Sequence, residues 1–482
     1  MFRRTKIVAT VGPACRAPAQ LDALIGAGVN VFRLNFSHGQ ADDHRRAVTD
    51  IRRASEAHRV QVAILADLQG PKIRIGDFST DYITLERGQR FSLDTAVAEP
   101  SDSTDLVGIN YPALVDDCRP DDQLLLDDGL IALRVIAVHG SRVECEVLEG
   151  GRLASRKGVN RLGGGLSAEA LTEKDIADIA IAAAMDIDYL ALSFPRDARD
   201  VARARELYRE AGGRGGIVAK IERAEAVADH EILDDIIRAS DGVMVARGDL
   251  AVEIGDAELV GVQKHIILRA RQLDRFVITA TQMMESMIHS PQPTRAEVSD
   301  VANAVLDGTD AVMLSAETAV GDHPSLTVRA MERIILGAER AWQTRQSGHR
   351  LHQEFQQVDE AIAMGAMYIA NHLLNVKAII AMTETGSTPR LMSRIRSGMP
   401  IFAFTPHPET QRRMSIYRGV STVHFDSGHI ANDQLNREAV AILEEMGLVQ
   451  NGDRIIITKG DYVSAHAGTN TMKVVSVGST IR

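Results

Sequence analysis

The residues best suited to chemistry follow two neighbouring predicted strands in the middle of the chain. Residues 217–221 form a β-branched apolar run, which suits a parallel strand buried on both faces. Lys220 and Glu222 are two positions apart, so their side chains leave such a strand on the same face. A second run, 242–246, precedes three more residues of interest. These are Arg247, Gly248 and Asp249. Such a set could hold a hard cation together with an anion, or form a structural ion-pair cluster.

These two strands belong to a longer alternation of strands and helices. Three predicted strands precede a region of different pattern and five follow it, with helical segments between them. The strands are 6–11, 29–34, 62–66, 189–192, 217–221, 243–246, 276–279 and 311–314. Eight alternating units predict an α/β fold of the (β/α)₈ (TIM) barrel type, over residues 1–69 and 164–342.

Polar residues lie at the carboxyl end of every one of the eight predicted strands. They are Thr10, Arg33 with Asn35, Asp67, Ser193, Lys220 with Glu222, Arg247 with Asp249, Thr281, and Ser315 with Glu317. In such barrels the carboxyl ends of the strands carry the active site. Chance could place polar groups at two or three strand ends, so eight of eight favours a site at this face.

The pattern changes between residues 70 and 163, where short strands and tight turns predict a small inserted β-barrel domain. Its expected strands are 82–85, 123–126, 131–138 and 143–148. Both ends of the insert are basic, which indicates either solvated surface or an anion site above the barrel. The basic residues are Lys72, Arg74, Arg152, Arg156, Lys157 and Arg161.

The last third of the chain predicts a separate α/β domain, residues 358–482, after a polar linker at 343–357. Its sheet is expected to be largely parallel. The loop 383–389 follows a strand and opens a helix, where backbone N–H groups and hydroxyls can bind phosphate. An ordinary helix cap is the alternative.

Composition narrows the classes of protein. With 482 residues, 45% of them hydrophobic, the chain is long enough for two to four domains. The net charge of −11 argues against nucleic acid or an anionic membrane as the main partner. Three scattered cysteines and the absence of a signal-like or membrane-length apolar run lead us to expect a cytoplasmic protein. No Walker A or Rossmann glycine motif occurs, which disfavours a P-loop enzyme or a Rossmann dehydrogenase.

The strand-end residues together suit phosphoryl transfer. Glu222 and Asp249 offer the oxygen ligands that Mg²⁺ or Mn²⁺ prefers, and few enough to leave room for substrate oxygens. Lys220 and Arg33 would balance the charge of a phosphoryl group. The insert would be a lid that excludes water from the reaction.

The sequence resembles the pyruvate kinase family over essentially its whole length. The motifs that carry the resemblance are KIVATVGPAC, VFRLNFSHG, DLQGPKIRIG, DDGLI, KGVN, LSFPR, IVAKIERAEAV, MVARGDLAVE, TATQMMESM, VMLSAETA and GTNT. The family implies a barrel, a lid and a C-terminal regulatory domain, and usually a homotetramer. It also implies phosphoenolpyruvate and ADP as substrates, with pyruvate and ATP as products in the last step of glycolysis.

The resemblance also implies roles for single residues. Lys220 would stabilise the phosphoryl group in flight, which Arg33 contacts. Glu222 and Asp249 would bind the metal. The residues implied to hold phosphoenolpyruvate are Arg33, Lys220, Gly248, Asp249 and Thr281. Those implied for the nucleotide are Arg74, Lys157 and His38. The proton that reaches enolpyruvate would come from water relayed by Thr281, Ser315 or Glu317.

One motif departs from many relatives, which need K⁺ and carry Glu in a GPEIR version of the motif. This chain has Asp67-Leu68-Gln69 and then Lys72 in GPKIR, so a hydroxyl ligand is missing and an ammonium group is added. The remaining residues of the monovalent-cation pocket are Asn35, Ser37 and Asp67. We therefore expect activity without K⁺.

In the family the loop 383–389 receives an effector phosphate, which implies four hydroxyl residues as its ligands. They are Thr383, Thr385, Ser387 and Thr388. The facing stretch 460–471 has no Lys or Arg, only His466. A second phosphate would lack cations there, so we expect a sugar monophosphate or a nucleoside monophosphate such as AMP as activator.

Two alternative functions share parts of this pattern. A metal-dependent barrel lyase or aldolase that works on a pyruvate enolate would share the metal and the arginine, but would not need a lid with basic ends. A regulatory binding protein on an inactive barrel would have no need to keep Lys220, Glu222, Asp249 and Thr281 together.

Overall fold

The computed structural model describes residues 2–341, 344, 354–431, 434–460 and 468–479. The chain begins with three strands that are buried on both faces and two helices between them. These elements are β1 (Lys6–Val11), α1 (Pro18–Gly26), β2 (Val31–Asn35), α2 (Ala41–Ala57) and β3 (Ala63–Asp67). Asp43 Oδ2 accepts the Gln40 N–H at 3.1 Å and the Asp43 N–H donates to the Gln40 carbonyl at 3.0 Å, which fixes where α2 begins.

The insert that follows β3 forms its own hydrophobic core from two β-sheets. Its elements are β4 (Tyr82–Leu85), β5 (Arg90–Asp94), β6 (Leu106–Gly108), α3 (Leu114–Asp117), β7 (Gln123–Leu126), β8 (Ile131–His139), β9 (Arg142–Glu149), β10 (Gly151–Ala154) and β11 (Val159–Arg161). Within the described residues one sheet has the order β11-β7-β8-β9-β5-β6, and the other pairs β10 with β4. The predicted turn at Asp127, Asp128 and Gly129 joins β7 to β8, with φ of 54°, 56° and 87°.

The alternation then resumes with β-strands and longer helices. The elements are α4 (Glu173–Ala184), β12 (Tyr189–Leu192), α5 (Ala198–Glu210), β13 (Gly216–Ile221), α6 (Glu225–Ala228), α7 (His230–Ala239), β14 (Gly242–Ala246), α8 (Arg247–Ile254), α9 (Asp256–Gln272), β15 (Phe276–Ala280), a 3₁₀ turn (Glu285–Ile288), α10 (Arg295–Asp307), β16 (Ala311–Leu314), α11 (Ala316–Ala319) and α12 (Pro324–Ala338). In the described part of the chain, eight parallel strands close in the order β1-β16-β15-β14-β13-β12-β3-β2. The predicted (β/α)₈ barrel is confirmed.

The C-terminal unit is an α/β sheet with helices. Its elements are α13 (Val358–His372), β17 (Val376–Met382), α14 (Ser387–Ser393), β18 (Ile401–Thr405), α15 (Pro408–Met414), β19 (Val420–His424), α16 (Leu435–Glu445), β20 (Arg454–Lys459) and β21 (Thr471–Ser476). The sheet order among these described strands is β19-β18-β17-β20-β21, and β21 alone runs antiparallel. Helix α14 begins at Ser387, inside the segment predicted as a phosphate loop. Most of the predicted linker 343–357 lies outside the described residues.

The base of the barrel packs directly on this C-terminal unit. Tyr189 and Phe276, at the first positions of β12 and β15, meet edge to face at 5.1 Å between ring centroids. Phe276 meets Tyr417 of the C-terminal unit in the same way at 5.4 Å. The barrel interior and the facing side of the C-terminal unit therefore share one hydrophobic core.

A buried ion pair crosses the same junction. Arg394, which follows α14, donates through Nη1 to Asp310 Oδ2 at 2.9 Å and also bonds Oδ1 through Nη2. Both side chains are 1% exposed. The Asp310 carboxylate also accepts the backbone N–H groups of Val277 and Arg418. None of the helices in the described ranges has the length and hydropathy needed to cross a membrane.

Candidate functional site

A cavity of about 380 Å³ lies at the carboxyl ends of the barrel strands, beneath the insert. We call it the barrel-mouth cavity. Thirteen of the residues singled out from the sequence line it. They are Arg33, Asn35, Ser37, Asp67, Lys72, Arg74, Arg156, Lys157, Lys220, Glu222, Asp249, Thr281 and Ser315. Six other residues named for this face are not part of the lining, namely Thr10, His38, Ser193, Arg247, Gly248 and Glu317.

Lys220 lies at the centre of the charged groups in this cavity. Its Nζ is 2.9 Å from Glu222 Oε1 and 3.4 Å from Asp67 Oδ1, and it donates to Ser193 Oγ at 2.8 Å. Burial opposes the charge on Lys220, but the Asp67 and Glu222 carboxylates outweigh it, so the pKa of Lys220 is raised. The lysine therefore stays protonated and can offer positive charge to an anion in the cavity.

Glu222 and Asp249 suit a divalent cation. Burial raises the pKa of Glu222 to about 7, and Lys220 opposes this rise while the nearby Asp249 charge adds to it. Burial also raises the pKa of Asp249. Two buried carboxylates that destabilise each other's charge would be relieved by a cation. In the described ranges no group of three or more His, Cys, Asp or Glu side chains is arranged around a metal position, so substrate oxygens would have to complete the coordination.

Arg33 is held against the barrel by two neighbours. Its Nε contacts Asp67 Oδ2 at 2.6 Å, and its Nη1 donates to Thr10 Oγ1 at 3.1 Å. Burial would raise the pKa of Asp67, but Lys220 and Arg33 outweigh burial and lower it. Asp67 therefore remains an anion that fixes two cations at the mouth of the barrel.

Thr281 follows β15 in a left-handed conformation, with φ of 64°, and Gln282 continues it with φ of 53°. Residues other than glycine adopt this region at a cost, and such strain concentrates at functional sites. Thr281 Oγ1 accepts the Gly248 N–H at 2.9 Å. Arg247 braces the turn, since its Nη2 donates to the Thr281 carbonyl at 2.6 Å.

Two strand-end residues do not line the cavity. Arg247 pairs instead with Asp300 of α10 at 2.7 Å. Glu317 is held behind the wall, where its carboxylate accepts the backbone N–H groups of Met284 and Ser315. Ser315 lines the cavity, and its buried Oγ has no hydrogen-bond partner among the described residues. Of the three predicted relay residues, Thr281 and Ser315 line the cavity and Glu317 does not.

The insert contributes cations to the cavity, but fewer than its sequence suggested. Lys157 and Arg156 line it from the second junction, by which we mean the end of the insert that leads back into the barrel. Lys157 pairs there with Asp127 at 2.8 Å. Arg152 instead lies over the Tyr82 ring, with its guanidinium carbon 3.6 Å from the centroid. Arg161 pairs with Asp122 at 2.8 Å. These two arginines are not among the residues that line the cavity.

At the first junction, where the chain passes from β3 into the insert, Lys72 and Arg74 both line the cavity. Arg74 donates through Nη1 to the Arg156 carbonyl at 2.9 Å, which links the two junctions. Burial and the charges of Arg74 and Lys220 lower the pKa of Lys72. His38 is exposed at the rim, and burial together with Lys72 and Arg74 lowers its pKa. We find it near the cationic rim but outside the lining.

Some residues that shape the cavity were not singled out from the sequence. Asp128, at the tip of the insert hairpin, is close enough to Asp249 for its charge to raise the Asp249 pKa further. Glu253 joins the second junction to the barrel, because its carbonyl accepts the Gly163 N–H at 2.8 Å and its Oε2 accepts the Ala224 N–H at 2.8 Å. The DDG turn marks Asp128 in the sequence, but no local pattern marks Glu253.

Glu253 allows a prediction about pH. Burial raises its pKa to about 7 from 4.5, so the native state holds this proton more tightly than the unfolded state does. Stability from this group is therefore lost as pH rises from about 4.5 to about 7, by at most about 3 kcal/mol. Glu253→Gln keeps an acceptor for Ala224 and removes the charge. We expect its thermal midpoint to exceed that of the wild type at pH 8 and to match it near pH 5.

The exposed Glu258 of α9 provides the control. Glu258→Gln should leave the thermal midpoint close to that of the wild type at both pH values. A Glu253→Gln offset of the same size at pH 5 and pH 8 would contradict the assigned titration.

A second cavity, of about 710 Å³, lies in the C-terminal unit around the loop 383–388. We call it the loop cavity. All four predicted hydroxyl residues line it, namely Thr383, Thr385, Ser387 and Thr388. Thr383 Oγ1 accepts the Gly386 N–H at 2.9 Å, and Thr388 Oγ1 bonds Thr469 Oγ1 at 2.5 Å. Three basic residues that were not expected there from the sequence also line it. They are His407, Arg413 and Lys459. His466 lies outside the described residues.

Comparison with known proteins agrees with this architecture. The family model "Pyruvate kinase, barrel domain" matches residues 2–328, and "Pyruvate kinase, alpha/beta domain" matches residues 360–475. The chain is 55% identical to pyruvate kinase II of Salmonella typhimurium over 99% of each chain. It is 52% identical to the pyruvate kinase of Haemophilus influenzae over 95% of this chain and 96% of that one.

A solved structure gives the same result. The crystal structure of a pyruvate kinase from Cryptosporidium parvum superposes with a TM-score of 0.90, at 36% identity, over 98% of this chain and 96% of that chain. The likeness covers the barrel, the insert and the C-terminal unit together. The chain belongs to the pyruvate kinase family.

Proposed function

We propose that this protein transfers the phosphoryl group of phosphoenolpyruvate to ADP, giving pyruvate and ATP. The observation that carries the proposal is the gathering of Lys220, Arg33 and two buried carboxylates in one cavity that basic residues of the insert overhang. The P–O bond to enolpyruvate would break, a bond to a terminal phosphate oxygen of ADP would form, and the enolate would take a proton at carbon.

The chain's own residues would position and neutralise the reacting anions. Arg33 has N–H groups to spare for the phosphoryl oxygens, because only Nε and Nη1 are engaged among the described residues. Lys220 would stabilise the charge of the group in transfer, most strongly in the transition state. Bound Mg²⁺ or Mn²⁺, held by Glu222 and Asp249, would neutralise phosphoryl charge and align the two substrates.

The turn at Thr281 would serve the substrate carboxylate and the proton. The Gly248 N–H, now hydrogen bonded to Thr281 Oγ1, lies in the first turn of helix α8, whose N-terminal dipole favours an anion. Water held by Thr281 or Ser315 would then protonate the enolate. The unpartnered hydroxyl of Ser315 makes it a good anchor for that water.

The insert would act as the lid over the nucleotide. Arg74 and Lys157 would meet its phosphates, with His38 at the rim. Within this proposal, residues 1–69 and 164–342 form the catalytic domain, 70–163 the lid, and 358–482 the regulatory domain after a linker at 343–357. We also propose that the enzyme is a homotetramer in the cytoplasm.

A lactate dehydrogenase-coupled assay with phosphoenolpyruvate, ADP and MgCl₂ tests the proposed reaction. We expect NADH oxidation that needs both substrates. Pyruvate formation without ADP, or no pyruvate at all from the folded protein, would contradict it. The lyase alternative predicts release of pyruvate from a longer hydroxy acid instead, and nothing in the comparisons supports it.

We predict full activity without K⁺. Lys72 enters the barrel-mouth cavity, where the charges of Asp249 and Asp67 act on its ammonium group, so a tethered cation already lies beside the altered pocket. In a tetramethylammonium buffer free of Na⁺ and K⁺, turnover should stay near its maximum. Lys72→Glu should lower turnover under these conditions. Activation of the wild type by tenfold or more on adding KCl would show this interpretation to be wrong.

We propose that the loop cavity receives one phosphate group of an activator. Helix α14 begins at Ser387 and hydroxyl groups surround it, with Arg413 and Lys459 as nearby cations. The activator should lower the half-saturating concentration of phosphoenolpyruvate by shifting the tetramer between two states. Ser387→Glu should abolish this effect by charge repulsion and leave saturated turnover intact.

Initial-rate measurements with glucose 6-phosphate, ribose 5-phosphate, AMP and fructose 1,6-bisphosphate test the choice of activator. Monophosphates should act at the lower concentrations. Activation at lower concentration by fructose 1,6-bisphosphate would mean that Arg413 and Lys459 serve a second phosphate.

A further inference from the structure

A third cavity, of about 470 Å³, lies between the base of the barrel and the C-terminal unit. We call it the basal cavity. Tyr189 and Gly216 line it at the first positions of β12 and β13, and Asp241 lines it just before β14. These are the amino ends of the strands, so the cavity lies at the opposite end of the barrel from the barrel-mouth cavity. Its other wall is formed by α14, α15 and the loop before α14.

Five arginines line the basal cavity, against one carboxylate. They are Arg205, Arg209, Arg214, Arg390 and Arg413. Asp241, the carboxylate, is already bonded to Arg205 at 2.8 Å. Arg214 has only a distant partner outside the lining, Asp186 at 3.9 Å. The lining therefore carries a net charge of +4 before any ligand binds.

Three of these guanidinium groups have no anionic partner. Among the described residues, no carboxylate lies within ion-pair distance of Arg209, Arg390 or Arg413, and their side chains donate no hydrogen bond. The Nε of Arg390 is buried and has no hydrogen-bond partner among the described residues. The three arginines come from three elements, α5, α14 and α15, which converge on one concave space. Gathering like charges in this way is unfavourable unless an anion lies between them.

The rest of the lining suits a small organic or inorganic phosphate. Guanidinium groups bind phosphate oxygens through paired N–H donors, more firmly than ammonium groups do. Thr385 and Ser387 add hydroxyl groups to the lining of the basal cavity, and the rings of Tyr208 and Tyr417 form apolar parts of its wall. A concave space with apolar walls and a few convergent polar groups is the usual form of a small-molecule site.

We propose that the basal cavity binds a small phosphorylated anion that carries at least two negative charges. This binding site is separate from the barrel-mouth cavity, where the reaction is proposed, and from the activator site proposed for the loop cavity. Arg209, Arg390 and Tyr417 line only the basal cavity, whereas Thr388, His407 and Lys459 line only the loop cavity. A bound anion would join α5 of the barrel to α14 and α15, and so tie the barrel to the C-terminal unit.

Isothermal titration with inorganic pyrophosphate, without divalent metal, tests the proposal on the full-length protein. The Arg209→Ala/Arg390→Ala double variant should weaken one saturable binding component at least tenfold. Arg203→Ala is the matched control, because Arg203 is an exposed arginine of the same helix that pairs with Glu206 and does not line the cavity. His407→Ala controls for the loop cavity. Both controls should keep the affinity of the wild type.

Thermal unfolding gives a second measurement. Saturating pyrophosphate should raise the midpoint of the wild type and of both controls, but not that of the double variant. If the double variant does not fold, Arg209→Ala alone repeats the test at an exposed position. No saturable binding to the wild type, wild-type affinity in the arginine variants, or loss of binding in His407→Ala would each overturn the proposal. The coupled assay on the wild type tests the reaction separately.

Discussion

Replacing Lys220 with methionine should lower the turnover number by about 10²–10³-fold, the usual cost of losing one preorganised group that stabilises transition-state charge. Lys220 Nζ is 2.9 Å from Glu222 and faces the cavity in which the phosphoryl group would move. Methionine has a similar length and no charge. Because Glu222 and Asp249 remain, Mn²⁺ binding measured by electron paramagnetic resonance should persist.

Lys174→Met is the matched control for this prediction. Lys174 is also a lysine paired with a carboxylate, Asp178, but it lies outside the barrel-mouth cavity. Its replacement should leave turnover within a factor of two or so. A Lys220→Met enzyme that retained more than a third of the wild-type turnover would refute the role assigned to Lys220.

The second large effect concerns stability. Asp310→Ala should lower the free energy of unfolding by about 3–5 kcal/mol, the typical result of leaving one member of a buried ion pair without its partner. Arg394 would keep a charge at a position that is 1% exposed, and the backbone N–H groups of Val277 and Arg418 would also lose their acceptor. Urea unfolding followed by circular dichroism measures the change.

The double variant Asp310→Ala/Arg394→Met separates charge burial from packing. It should recover much of the loss, since removing both charges from a buried pair is often close to neutral. Asp42→Ala breaks an exposed pair with Arg45 and should cause no measurable change. If Asp310→Ala unfolded at the same urea concentration as the wild type, the pair would contribute nothing to docking of the C-terminal unit.

The strand-end residues of the site could be predicted from the sequence because parallel strands place their carboxyl ends at one face of the barrel. Strand periodicity located Lys220, Glu222 and Asp67 on that face without tertiary information. Arg247 and Glu317 lie outside the cavity lining for a common reason. Each is in the first turn of a short helix that follows its strand, α8 or α11, so its side chain turns back to bond neighbouring elements.

Other features depend on contacts between distant parts of the chain. Arg152 stacks on Tyr82 because β10 pairs with β4, a register that no local pattern reveals. The pairing of Arg394 with Asp310 spans 84 residues, and burial of these two charged groups goes against their ordinary preference for solvent. The arginines of the basal cavity likewise come together only when the two units dock.

The shared core at the base of the barrel has a consequence for biosynthesis. Phe276 is covered by Tyr417, which a ribosome adds about a hundred residues after the last barrel strand. At a synthesis rate of about 5–20 residues per second, the apolar base of a newly made barrel stays uncovered for roughly 5–20 seconds until Tyr417 is added. During that interval the nascent chain exposes aromatic surface, so we expect it to depend on chaperones that bind such surface until Tyr417 has emerged.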